Sequence, residues 1–227
     1  MNIRILGTRG EISASAPRHK DHSGMLVDRR YLFDFGERKY LELAPRAIFI
    51  THLHPDHAAF VRESFPVPAI PIYAPERKTY PFLRRAKPLT LDGYRVTPIP
   101  TVHSVKVKSC AYLIEKGKTR ILYTGDIVWM SAARRKKLGR LTAVITEASH
   151  LREGGLIRKD KEGRLFGHAG VPNLIRMWKP HTRTIILTHF GSWFFADIRK
   201  SHALLAELQQ KESVNVVVSR DGMSIDI

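Results

Sequence analysis

The chain has 227 residues, of which 43% are hydrophobic, with 38 Lys and Arg against 21 Asp and Glu for a formal net charge of +17. That apolar share suffices for one sizeable core, so residues 1–227 read as a single domain. No apolar run reaches the roughly 18 residues of a membrane span, and Met1–Gly7 reads as a first strand rather than a leader, so a soluble, cytoplasmic protein without a membrane partner is expected. A single Cys excludes an internal disulfide and fits a reducing compartment.

In chain order, apolar and β-branched runs predict strands at Asn2–Leu6, Gly24–Asp28, Tyr31–Phe35, Ala47–Ile50, Ile70–Ala74 and Tyr94–Pro100 as a first block. A second block holds Ser109–Glu115, Thr119–Thr124, Leu141–Thr146, Thr184–Leu187, Val214–Ser219 and Met223–Ile227, with Ser219–Gly222 as a closing hairpin turn. Helical patterns run over Asp56–Ser64, Pro75–Arg84, Ser131–Leu138, Val171–Trp178 and Ala196–Lys211. Strand ladders flanked by helices suit an α/β fold, a four-layer αββα sandwich with strand ends gathered at one edge.

The strand-like Ala47–Ile50 leads into Thr51-His52-Leu-His54-Pro-Asp56-His57, four potential metal ligands within six residues. Imidazoles with a carboxylate suit Zn²⁺ or another borderline divalent ion, Mn²⁺ and Fe²⁺ being the alternatives. His52 and His54 project to one side of an extended segment, because strand side chains alternate, while Asp56 and His57 fall where the chain turns. His103, Asp126 and His189 each follow a β-rich run. Together they complete two shells: His52, His54 and His103 for one ion, Asp56, His57 and His189 for a second, and Asp126 shared by both.

This HxHxDH run, followed in order by a His, an Asp and a His at strand ends, resembles the metallo-β-lactamase superfamily over nearly the whole chain. Ile5–Gly10 and Tyr31–Glu37 are similar to the opening of the RNase Z branch, the tRNA 3′-processing endonucleases, in which the counterpart of Asp34 orients a ligand His. Glu147-Ala-Ser149 and Gly167-His168-Ala169 are similar to the Glu-Ala-Thr and His-Ser-Thr elements of that branch, which implies a Glu147–His168 pair beside the metals. The departures are as informative. The interval from His103 to Asp126 has room for one hairpin and none for a tRNA-gripping arm; Ile127 to Phe190 is too short for an inserted β-CASP domain; and Cys110 alone cannot build the extra zinc site of the cyclic phosphodiesterase branch.

The basic excess favours a polyanionic partner, RNA, DNA or a small phosphodiester, since neutralising phosphates releases counterions; a thermophile-type surface is the bland explanation. Basic clusters stand at Arg84–Lys87, Arg134–Lys137 and in Arg152–Arg164, expected as a flexible loop over the metals. The resemblance implies a binuclear hydrolase with Asp56, Asp126, Glu147 and His168 as its catalytic set. Cleavage of phosphodiesters by a water bridging two ions is the leading expectation, with His168, kept cationic by Glu147, as the proton donor or as the group stabilising the transition-state charge. Hydrolysis of lactones, thioesters or β-lactams by the same site is the alternative, and a binding protein with purely structural metals the competitor outside enzymes. A homodimer is compatible with all of these.

Overall fold

The apolar strands of the chain are buried on both faces, and the fold follows from the need to cover them. The computed structural model describes residues 1–227. In chain order its elements begin with β1 (Asn2–Gly7), β2 (Gly24–Val27), β3 (Tyr31–Phe33), β4 (Ala47–Phe49), β5 (Ile72–Ala74), β6 (Leu83–Arg85), β7 (Leu89–Leu91) and β8 (Tyr94–Thr101). There follow β9 (Ser109–Lys116), β10 (Thr119–Tyr123), α1 (Ala132–Leu138), β11 (Ala143–Ala148), β12 (Leu156–Lys159), β13 (Leu165–His168) and α2 (Val171–Trp178). The chain closes with β14 (Thr184–Phe190), α3 (Ser192–Ala196), α4 (Ile198–Glu212), β15 (Asn215–Val218) and β16 (Ser224–Asp226).

Two seven-stranded sheets form, ordered β16-β1-β2-β3-β4-β5-β6 and β15-β14-β11-β10-β9-β8-β7. Alternate residues of each strand face the other sheet: Ile3, Ile5, Phe33 and Phe49 from the first meet Tyr112, Ile121, Tyr123 and Ile145 from the second in one core. The outer face of the second sheet, with Leu113, Leu122, Val144 and Leu187, is covered by Leu174, Ile175 and Trp178 of α2, Phe194 of α3 and Leu205 of α4. The outer face of the first sheet is covered by Tyr40 and Phe60, which stand on two 3-10 helices, Arg38–Leu43 and Ala59–Val61. The result is the expected αββα sandwich. No helix is long and apolar enough to cross a membrane.

Several elements depart from the sequence reading. Asp56–Ser64 is not an α-helix: the backbone bonds from Phe35 N to His57 O and from Ala59 N to Phe35 O bridge it to the end of β3, leaving room only for a 3-10 turn. Pro75–Arg84 also fails as a helix, because Pro81 lacks the N–H a helix interior needs, and the segment ends as β6 beside β5. Tyr94–Thr101 belongs with the second sheet, paired to β9, rather than with the first block. Conversely β16 joins the first sheet beside β1. Ser219–Gly222 is therefore a crossover between sheets and not a hairpin. Finally, Arg152–Arg164 is no open loop; most of it folds into the ordered β12–β13 hairpin.

Strands β10, β11, β14 and β15 are parallel, as are β3, β4, β5 and β6. Parallel strands deliver their carboxyl ends to one rim, the edge where α/β sheets assemble sites. Between His103 and Asp126 there is only the β9–β10 hairpin, so no arm projects from this interval.

Candidate metal centre

All seven candidate ligands of the sequence reading converge on that rim. The segment after β4 carries His52, His54, Asp56 and His57; His103 follows β8, Asp126 follows β10, and His189 lies near the end of β14. Ligand atoms of His52, His54, His103 and Asp126 lie within 4.8 Å of one another, and so do those of Asp56, His57, Asp126 and His189. Asp126 is common to both groups, and also to a third with Glu147 and His168.

Local backbone irregularity aims two of these groups. The β11–β14 register runs Glu147↔Thr188 and then Ala148↔Phe190, so His189 is the extra residue of a bulge. Its φ of 53° is uncommon for a residue with a Cβ, and bulges re-aim side chains next to active sites. At Gly125, with φ of 57°, a Cβ would stand 2.5 Å from Thr51 Oγ1, so only glycine lets the loop carrying Asp126 pass the loop carrying His52.

Four of the five rings are oriented from behind. Nδ1 of His57 donates to Asp34 Oδ2 at 2.7 Å, and Asp34 also accepts from Thr51 N and from Tyr123 Oη. Nδ1 of His52 sits 3.0 Å from Thr51 Oγ1, which itself donates to Asp34. Nδ1 of His103 donates to the Gly167 carbonyl at 2.8 Å, and Nδ1 of His189 donates to Ser149 Oγ at 3.0 Å. Every one of these contacts spends Nδ1 and leaves Nε2 facing the cluster, the arrangement by which proteins fix a ligating imidazole. Asp34 was foreseen from resemblance. Thr51, Tyr123 and the Gly167 carbonyl were not, since a backbone group, a hydroxyl and a phenol carry no spacing signature.

The electrostatics test whether cations fit. Nε2 of His52 and Nδ1 of His54 lie 3.0 Å apart, and Nε2 of His103 lies 3.2 Å from the same His54 nitrogen. Burial holds His52 well below the ordinary imidazole range, lowers His103, and together with His103 brings His54 down to about 4. Three largely neutral rings thus point lone pairs at one place. In the second group burial opposes the charge on His57 and His189, but Asp126 and Asp56, with Asp34 behind His57, outweigh it and raise both rings. Those carboxylates demand positive charge nearby. Oδ1 of Asp126 is buried and accepts no hydrogen bond, a costly state without a cation. The donor set therefore fits divalent metal ions.

Glu147 and His168 complete the rim. Glu147, at the end of β11, is buried and accepts from Ile127 N at 2.6 Å, from Nδ1 of His168 at 2.7 Å, and from the Ser149 hydroxyl. His168, at the end of β13, is about a quarter exposed and 3.9 Å from Asp126 Oδ2. Burial disfavours its charge, yet the Glu147 carboxylate overrides this and raises the ring to about 9. Ser149 links Glu147 to His189, a connection the sequence offered only as the third residue of Glu147-Ala-Ser149.

Comparisons with known proteins bear on the fold and the family. Solved structures similar to the whole chain include the metallo-β-lactamase fold protein YhfI of Bacillus subtilis, with TM-score 0.69, 18% identity, and 99% of this chain and 98% of that one covered. A diphosphatase from the PhnP family matches with TM-score 0.68 and 15% identity, covering 100% of this chain and 97% of the other. The short form of human tRNase Z matches with TM-score 0.65 and 19% identity, over 100% and 99%. No curated protein sequence matches the chain. The family model for the β-lactamase superfamily domain matches residues 38–190, which span the HxHxDH run, His103, Asp126 and the strand bearing His189, and on that match and this fold the chain belongs to the metallo-β-lactamase superfamily of metal-dependent hydrolases.

Proposed function

We propose that this chain is a binuclear phosphodiesterase. His52, His54 and His103 would hold one divalent ion, Asp56, His57 and His189 the other, and Asp126 would serve both, with Zn²⁺ favoured by the imidazole-rich donors. When bound, such a pair supplies an activated water and neutralises charge on the attacked centre.

The observation that carries the reading is the Glu147–His168 pair at the rim of the ligand cluster. Cleavage of a phosphodiester expels an alkoxide, which needs a proton; a well-placed donor contributes about 10²–10⁴ in rate. Glu147 holds the Nδ1 proton of His168, so the free Nε2 of the same imidazolium can deliver its proton to the departing oxygen. Buried Glu147 stays fixed by Ile127 N and Ser149, which keeps the ring in one orientation. Hydrolysis of a lactone or β-lactam has less use for an imidazolium in this place. The similarity to a diphosphatase and a tRNase adds support from the fold alone.

The test is turnover of a chromogenic phosphodiester, a lactone, a thioester and a β-lactam by one preparation, reconstituted separately with Zn²⁺ and with Mn²⁺. The phosphodiester should be turned over fastest. Preference for an acyl substrate under both metals would overturn the proposal.

A further inference from the structure

A groove of about 910 Å³ begins beside the ligand cluster. Val102 and Ser104, the neighbours of His103, line it, as does Trp129, three residues beyond Asp126. Its floor includes Pro98 and Pro100 of β8. The partner strand β7 pairs only with residues 94–96, so beyond that point β8 is an edge, where prolines are tolerated and no further strand can add. The groove is thus an open trough on a rigid sheet edge.

Its lining is one-sided in charge. Arg85, Lys87, Lys106 and Lys108 face it with exposed side chains that form no ion pair or hydrogen bond within the chain. Arg164 also lines it, but Asp160 and Glu162 already neutralise that guanidinium. The one lining carboxylate, Glu76, is occupied by Lys108 N at 2.8 Å and lies 3.9 Å from Lys78 Nζ. Trp129 is 44% exposed, although its backbone is fastened by Val102 N to Trp129 O at 2.9 Å. An indole held out in water on a fixed backbone, in the same groove as four free cations, is the pairing that single-stranded nucleic acid requires: a stacking platform for a base and charges that follow the phosphates. The volume is that of a drug-sized pocket, room for a nucleotide or two and too small for a duplex.

Resting on the phosphodiesterase reading, we infer that this groove seats the single-stranded nucleic acid flanking the scissile phosphate, with a base on Trp129 and phosphates on Lys87, Lys106 and Lys108. A strand whose reacting phosphate lies at the ligand cluster would pass His103 and enter the trough directly. The basic run of α1 is placed otherwise. Leu138 and Arg140 at its far end accept from Arg120 at the start of β10, so Arg135, Lys136 and Lys137 lead away from the rim.

The test measures fluorescence anisotropy of phosphorothioate-linked oligo(dT) and oligo(rU) of about 6 to 12 nucleotides with the metal-loaded protein across a salt series. Trp129→Ala should weaken binding about 5- to 100-fold, and Trp129→Phe should recover most of it. Changing Lys87, Lys106 and Lys108 to Gln should flatten the salt slope by about 2, as loss of three phosphate contacts predicts. The equal charge change at Arg135, Lys136 and Lys137 should flatten it less. Unaltered affinity in a folded Trp129→Ala protein, equal flattening by the two triple variants, or equally tight binding of a duplex would each overturn the groove. Groove-dependent oligomer binding without turnover of any phosphodiester would support the groove and overturn only the proposed reaction.

Discussion

Nδ1 of His168 lies 2.7 Å from Oε2 of Glu147, and through Ser149 the same carboxylate is tied to His189, so the proposed proton-donating pair and the candidate ligand cluster share one buried anchor. The two therefore respond differently to substitution. His168→Ala should slow a diester with an alkyl leaving group about 10²–10⁴-fold while slowing a nitrophenyl ester far less, because a phenolate leaves without help. Metal content, read by elemental analysis, should not change. Equal slowing of both substrates, or loss of metal, would make His168 a coordinating or structural residue.

The charge of Glu147 governs the pH range over which His168 keeps its proton. A donor must be protonated, so rate with an alkyl-leaving diester should hold at neutral pH and fall as pH rises through the pKa of His168, which Glu147 raises. Glu147→Gln removes that charge and should move the alkaline limb to lower pH. In the Glu147→Gln, His168→Ala double variant the limb should vanish, at little cost beyond that of His168→Ala alone. An unmoved limb in Glu147→Gln would show that another group titrates.

What the sequence disclosed divides along physical lines. The candidate ligand cluster was legible because metal coordination would impose residue type and close spacing at once, as at His52, His54, Asp56 and His57. Central strands were legible because both faces are apolar. Short edge strands such as β6 and β7 were not, since Leu83-Arg-Arg85 and Leu89-Thr-Leu91 carry too little periodicity. Sheet membership of β8 and β16 depends on pairing far along the chain, which local patterns do not encode. The groove escaped for the same reason: its cations come from Arg85, Lys87, Lys106 and Lys108, on segments that only the fold brings side by side.

Asp34 offers a test of the orienting layer. Its φ of 56° is one that Asp and Asn tolerate better than most residues, and it satisfies Thr51 N, Tyr123 Oη and Nδ1 of His57 together. Asp34→Asn keeps the shape but puts an amide where these donors need acceptors. Metal affinity measured by competition with a chelator should fall about 10–100-fold, the usual cost of losing such a partner. Undiminished affinity would mean that His57 does not ligate through Nε2.

The last prediction concerns stoichiometry. Asp56 contacts His189 Nε2 at 2.8 Å and lies 3.6 Å from His57 Nε2, and it takes no part in the His52, His54 and His103 group. Fully reconstituted protein should therefore hold two divalent ions per chain, and Asp56→Ala should lose one while retaining the other. Asp126→Ala should weaken both, because its two oxygens divide between the groups: Oδ1 lies 3.2 Å from His57 and 3.4 Å from His189, while Oδ2 lies 3.7 Å from both His52 and His103. Isothermal titration of chelator-stripped protein separates the two events as distinct binding steps. A single ion per chain in fully active protein would exclude the binuclear arrangement, and equal loss of both ions in Asp56→Ala would show that the two groups form one indivisible site.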